Sequence, residues 1–166
     1  MHLALYQPDI PGNAGAVIRL AVCLAMPLVI IEPCGFILDD RRLRRAALDY
    51  LPHLRLVRVP SWPAFEQWRR TERARLVLLT TRADRDYHAA RFRPDDVLLC
   101  GEEAGGVPEE VHAAADLRVR VPMAPGRRSL NVVTALAMVA GEALRQTEGW
   151  PRAPTLPSRT FAEGGA

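Results

Sequence analysis

A chain of 166 residues, 49% hydrophobic and 25% charged, is long enough to bury a core as one domain, without staples from disulfides or metals. Its net charge of +3 is mild, and all 22 basic residues are arginine, so clustering of arginines says more about partners than their number. Three scattered cysteines (Cys23, Cys34, Cys100) and four scattered histidines lack metal or redox spacing, no apolar run is membrane-spanning, and the N-terminus lacks a signal-peptide pattern. These features argue against a metal enzyme, a membrane protein or a secreted scaffold, and for a cytoplasmic protein.

Along the chain, short apolar runs alternate with helical patterns. Strands are predicted at 2–6, 28–32, 54–59, 75–81, 96–101 and 117–122. Helices are predicted at 13–25, 39–48, 62–72, 108–115 and 129–146, the second of them short and basic. Continuous apolar strands between helices indicate an α/β domain, its mostly parallel sheet covered on both faces by helices. The domain is placed at 1–149, and residues 150–166, with Pro151, Pro154 and Pro157 and a terminal "EGGA", read as a flexible tail.

Ligands of such sheets bind beyond the carboxyl ends of the strands, and three segments hold that position. In "QPDIPGNAGAVIRL" (7–20), Gly12 and Gly15 permit a tight turn and Asn13 suits a helix N-cap. A turn and a cap would account for that much, but Arg19 stands among Val17, Ile18, Leu20 and Val22, either snorkelling or poised over the loop. "CGEEAGGVPEE" (100–110) is glycine-rich without dinucleotide-fingerprint spacing. Glu102 and Glu103 would repel a pyrophosphate, so a ligand here should offer hydroxyls, an amine or a positive charge. In "VPMAPGRRSLNVV" (121–133), Ser129 is the expected N-cap of the last helix, and Arg127 and Arg128 flank its N-terminus, a natural anion site. A structural turn and a solvated charged loop remain the plainer readings of the second and third segments.

Together, "YQPDIPGNAGAVIRL", "IIEPCGFILDDRRLRRAALDY", "LLCGEEAGGVPEEV" and "VRVPMAPGRRSLNVV" resemble the SPOUT superfamily of RNA methyltransferases. The resemblance is greatest to the tRNA (cytidine/uridine-34-2′-O)-methyltransferase group and covers about residues 2 to 149. It implies an α/β domain with a C-terminal deep trefoil knot, S-adenosylmethionine as cofactor, a tRNA anticodon loop as substrate and a homodimer. Cofactor-binding positions carried over by motif are Leu79, Gly101, Val121 and Ser129. Arg19 matches the family's first-motif arginine, with Asn13 and Asn131 as further catalytic-site positions. Arg41, Arg42 and Arg45 of the basic segment, together with Arg127 and Arg128, would meet RNA. The resemblance implies neither metal nor membrane.

The chain departs from the family pattern at Ala16, Leu51, Gly105 and Gly141, changes that touch the RNA side more than the cofactor side. Two further readings stay open on the sequence: a methyltransferase of the same superfamily acting on ribosomal RNA, and an RNA-binding protein that keeps the fold without catalysis.

Overall fold

A computed structural model describes residues 1–37 and 48–152. The described elements are β1 (His2–Tyr6), α1 (Pro11–Cys23), β2 (Leu28–Ile31), β3 (Leu56–Val59), α2 (Trp62–Thr71), β4 (Arg75–Leu79), β5 (Asp96–Cys100), α3 (Glu109–Ala114), β6 (Leu117–Val119) and α4 (Val132–Gln146). Single 3₁₀ segments lie at Leu48–His53 and Tyr87–Ala89. The predicted basic helix at 39–48 falls outside the described residues but for Leu48, as does the predicted tail beyond Arg152.

The strands form one six-stranded sheet in the order β3-β2-β1-β5-β4-β6, and every pairing is parallel. Chain order reverses between β1 and β5, the switch point at which such sheets bind ligands. Alternation along each strand sends side chains to opposite faces. Leu3 and Leu5 of β1 join Leu28, Ile30, Leu98 and the buried faces of α1 and α4 in one core. Ala4 and Tyr6 join Val29, Ile31, Leu99, Phe65 of α2 and Val111 of α3 in the other. Both faces of the sheet are therefore covered, as the unbroken apolar runs require.

Predicted strands overshoot at their carboxyl ends. β4 stops at Leu79 rather than at 81, and β6 at Val119 rather than at 122. The residues so released form the loops that bear the site.

The helix starts differ as well. α1 begins at Pro11, whose fixed φ suits the first helical position and whose missing N–H costs nothing there. Asn13 is therefore inside the first turn, and the N-cap position belongs to Ile10, which makes no side-chain cap bond. α4 begins at Val132, not at Ser129: Asn131 caps it, its Oδ1 accepting from the amides of Val133 (2.9 Å) and Thr134 (3.4 Å). α4 buries Leu136, Val139, Ala140, Ala143 and Leu144 and turns Thr134, Met138 and Arg145 outward. One face of α4 is thus buried and the other exposed.

At the opposite edge of the sheet from the carboxyl ends, Asp96 is fully buried at the start of β5. Arg75 of β4 meets it with a two-pronged ion pair, Nε to Oδ1 at 2.6 Å and Nη2 to Oδ2 at 2.8 Å, and the Arg93 amide donates to Oδ2 at 2.8 Å. Removing one partner of such a pair strands a charge in the interior. Arg75→Met should therefore lower stability by about 3 kcal/mol, measured as the change in urea midpoint at constant slope.

Candidate active site

Beyond the carboxyl ends of β4, β5 and β6 lies a cavity of about 550 Å³, closed on its remaining side by the start of α4. Leu79, Gly101, Val121 and Ser129, drawn from three segments far apart in sequence, all line it. Asn13 and Asn131 line it too.

The other predicted positions lie elsewhere. Arg19 is exposed on α1, outside the lining, and its guanidinium sits 5.6 Å from the centre of the Tyr50 ring. A cation over an aromatic face accounts for its placement. Arg127 and Arg128 are exposed on the loop before α4, also outside the lining. Arg41, Arg42 and Arg45 fall outside the described residues.

The glycine-rich loop is a closed ring. Glu102 and Gly106 exchange both backbone hydrogen bonds at 2.8 Å, and Gly106 has φ +71°, a conformation that suits glycine. A Cβ on Gly101 would come within 2.4 Å of the Gly106 carbonyl, so the close approach of the two backbones depends on a bare α-carbon at 101.

From this ring a chain of side-chain hydrogen bonds crosses the cavity mouth. Asn13 Nδ2 donates to Glu103 Oε1 at 2.9 Å, and Asn131 Nδ2 donates to Asn13 Oδ1 at 3.0 Å. Because Asn131 Oδ1 must accept from the α4 amides, its nitrogen faces Asn13, which sets the Asn13 amide in turn. At the far end, Asp9 N–H donates to Glu103 Oε2 at 3.3 Å and Glu103 N–H donates to Asp9 Oδ1 at 3.4 Å. Asp9 stands in the first sequence motif, but nothing local in the sequence couples it to a residue 94 positions away. Tyr50 closes the second quoted motif, but nothing local in it points to Arg19, and His112 carries no sequence signal. His112, 5% exposed, forms part of the cavity wall, and burial, before any charge, holds its imidazole below the ordinary range.

The electrostatics suit a ligand without phosphate. Arg82 and Arg120 line the cavity, but Arg82 is paired with Glu109 at 2.9 Å and Arg120 with Asp86 at 2.7 Å. Glu102 and Glu103 line the same cavity. On the wall formed by the end of β5, Cys100 is fully buried and burial pushes its thiol up to about 12. Among the described residues, no group of three metal-binding side chains gathers, and no helix is long and apolar enough to cross a membrane.

A parallel α/β sheet with a glycine ring and a cavity at its switch side is a frame for binding a small organic cofactor, and its sequence places it more closely: the chain belongs to the SpoU rRNA methylase family, whose model matches residues 1–141. The chain is 56% identical over 144 residues to the tRNA (cytidine(34)-2′-O)-methyltransferase of Beijerinckia indica subsp. indica, covering 87% of this chain and 90% of that one. A solved structure described as giving structural insights into the 2-OH methylation of C/U34 on tRNA superposes with a TM-score of 0.83 at 44% identity, covering 87% of this chain and 94% of the other. The SpoU methyltransferase AviRb from Streptomyces viridochromogenes in complex with the cofactor AdoMet superposes at 0.82 with 29% identity, covering 88% of this chain and 60% of that one.

The ring makes its own prediction. Gly101→Ala forces a methyl group against the Gly106 carbonyl and should cost about 1–3 kcal/mol. The Glu102 and Gly106 amides should then exchange with solvent faster than in the wild type, as hydrogen-exchange mass spectrometry would record.

Proposed function

We propose that this protein transfers a methyl group from S-adenosylmethionine to a ribose 2′-hydroxyl of RNA, at nucleotide 34, the wobble position of a tRNA anticodon loop. The observation that carries the reading is the convergence of Leu79, Gly101, Val121 and Ser129 on one cavity whose lining arginines are already paired. A cofactor with a sulfonium, ribose hydroxyls and an adenine, and no phosphate, fits this lining. When bound, it supplies an electrophilic methyl group. The tRNA substrate is favoured by the Beijerinckia indica relative and by the structural neighbour concerned with C/U34. Ribosomal RNA is the second reading, favoured by the family's own description. Action on tRNA assigns the protein to the cytoplasm.

In this reading the chain's residues divide the work of the site. Gly101 and the 102–106 ring bring backbone close to the cofactor. Asn13 and Asn131 each keep one amide N–H uncommitted by their mutual bond and could hold the ribose. A neutral hydroxyl is a poor nucleophile and must lose its proton as transfer proceeds. Arg19, steadied on Tyr50, orients the adjoining phosphate and stabilises negative charge developing on the 2′-oxygen. Arg127 and Arg128 hold RNA backbone beside the cavity, as do Arg41, Arg42 and Arg45 of the basic segment. After edge strand β6 the chain returns to the sheet centre, where α4 packs on α1 and β5. This return supports a C-terminus tucked as a trefoil knot. Exposed Ile10, Leu130 and Met138 support a second copy of the chain as cover, a homodimer.

Incubation with labelled S-adenosylmethionine and either total tRNA or ribosomal RNA, followed by nucleoside mass spectrometry, tests the assignment. A 2′-O-methylated pyrimidine nucleoside is expected from tRNA; label only in rRNA would establish the second reading, and label in neither would mean a binding protein. Arg19→Ala should leave cofactor binding intact in calorimetry and lower the single-turnover rate at saturating tRNA by roughly two to three orders of magnitude. Recovery of that rate with excess tRNA would reduce Arg19 to a binding residue. Light scattering at micromolar concentration should give twice the monomer mass.

A further inference from the structure

Most of the cavity's charged lining is committed to partners within the chain. Arg82 pairs with Glu109 and Arg120 with Asp86. Glu103 accepts from Asn13 Nδ2 and from the Asp9 amide. Glu102 differs. Its backbone closes the ring with Gly106, but among the described residues its carboxylate has no hydrogen-bond or ion-pair partner.

That carboxylate folds back over the ring. Its Oε2 lies 3.1 Å from the place a Cβ on Gly105 would take. Gly105, one of the positions at which the chain departs from the family pattern, does not have the left-handed φ that calls for glycine at Gly106. What the missing side chain leaves is room for Glu102. Ala104, Gly105 and Gly106 are exposed, whereas Leu79, Gly101 and Val121 are half-buried. The carboxylate therefore stands at the open turn of the ring, on the side from which a macromolecular substrate reaches the cavity.

A carboxylate repels phosphate and offers only acceptors, so on an RNA it holds an N–H or an O–H. The two pyrimidines differ in what they present to it. The N4 amine of cytosine carries an N–H whose outer side borders only C5–H. Uracil has the acceptor O4 at the same place, and its one N–H, at N3, lies between two carbonyl oxygens that repel a second acceptor. We propose that Glu102 is a specificity-determining residue of the transfer site: it accepts a hydrogen bond from the N4 amine of the target base and so selects cytidine over uridine at nucleotide 34. The inference rests on the methyltransferase reading for the chemistry, but not for the base contact.

Two unmodified tRNA transcripts that differ only in cytidine 34 or uridine 34 test it. In single turnover with labelled S-adenosylmethionine and subsaturating RNA, the wild type should methylate the cytidine transcript about 10- to 100-fold faster, the scale of one well-placed base contact. Glu102→Ala should bring the cytidine rate down to the uridine rate. Glu102→Gln, whose amide both donates and accepts, should serve both bases and raise the uridine rate. The bonds between Glu102 and Gly106 are backbone bonds, so both variants should fold and keep the cofactor Kd in calorimetry. Equal wild-type rates, or a preference that survives in Glu102→Ala, would overturn the proposal. An equal loss on both transcripts in Glu102→Ala would place the carboxylate on the ribose or the cofactor and would overturn it too.

Fluorescence anisotropy separates the base contact from the reaction. The wild type should bind the cytidine transcript with the lower Kd, and Glu102→Ala should bind the two alike. Cytidine-selective binding that needs Glu102, without methyl transfer, would refute the methyltransferase reading and leave the base contact standing. Methyl transfer without selectivity in rate or binding would leave that reading standing and refute the contact.

Discussion

Parallel pairing of all six strands is the constraint on which the rest depends. It sends every carboxyl end to one edge of the sheet, so the loops after β1, β4, β5 and β6 must meet at a common rim. Parallel strands also need long crossovers, and these supply the helices that cover both faces. Buried hydrogen-bonded backbone and two apolar cores fix the strands, while loop residues, released from the ladder, are left to make the cavity. The buried Arg75–Asp96 pair fastens β4 to β5 at the other edge, away from the site, where it can stiffen the frame without entering the chemistry.

The frame was legible in the sequence because its signal is local and repeated. Runs such as "LVII" and "RLVLL" announce fully buried strands by composition alone. Strand ends were less legible: Thr80, Thr81 and Arg120 suit a strand as well as a loop, and only pairing partners decide. Both misplaced caps share one cause. Asn13 and Ser129 are good cap residues by type, but a proline starts α1 two positions before Asn13, leaving the N-cap to Ile10, and Asn131 caps α4 nearer its start. The displaced residues both line the cavity.

The cofactor-side positions could be carried over from motifs, and all four face one cavity. What could not be read was how motifs act on one another. The bonds joining Asp9, Glu103, Asn13 and Asn131 span more than half the chain, and each residue alone is an ordinary turn or cap residue. Arg19 stands out in the sequence as an arginine among apolar neighbours, but its partner Tyr50 comes from a distant 3₁₀ segment, and no periodicity links the two. Long-range polar contacts are specified by the fold, so they become visible only after the fold is known.

The buried thiol on the cavity wall has a consequence for the lifetime of the protein. A sulfonium methyl donor alkylates any good nucleophile held beside it, and a thiolate is the best that a protein can offer. Cys100 lies against the cavity, one residue before the glycine that opens the ring. With its thiol pushed up to about 12 by burial, the group stays a thiol at neutral pH. The same packing that completes the sheet thus shields the protein from methylating itself, and a small buried hydrophobe can stand beside a reactive cofactor without being consumed by it.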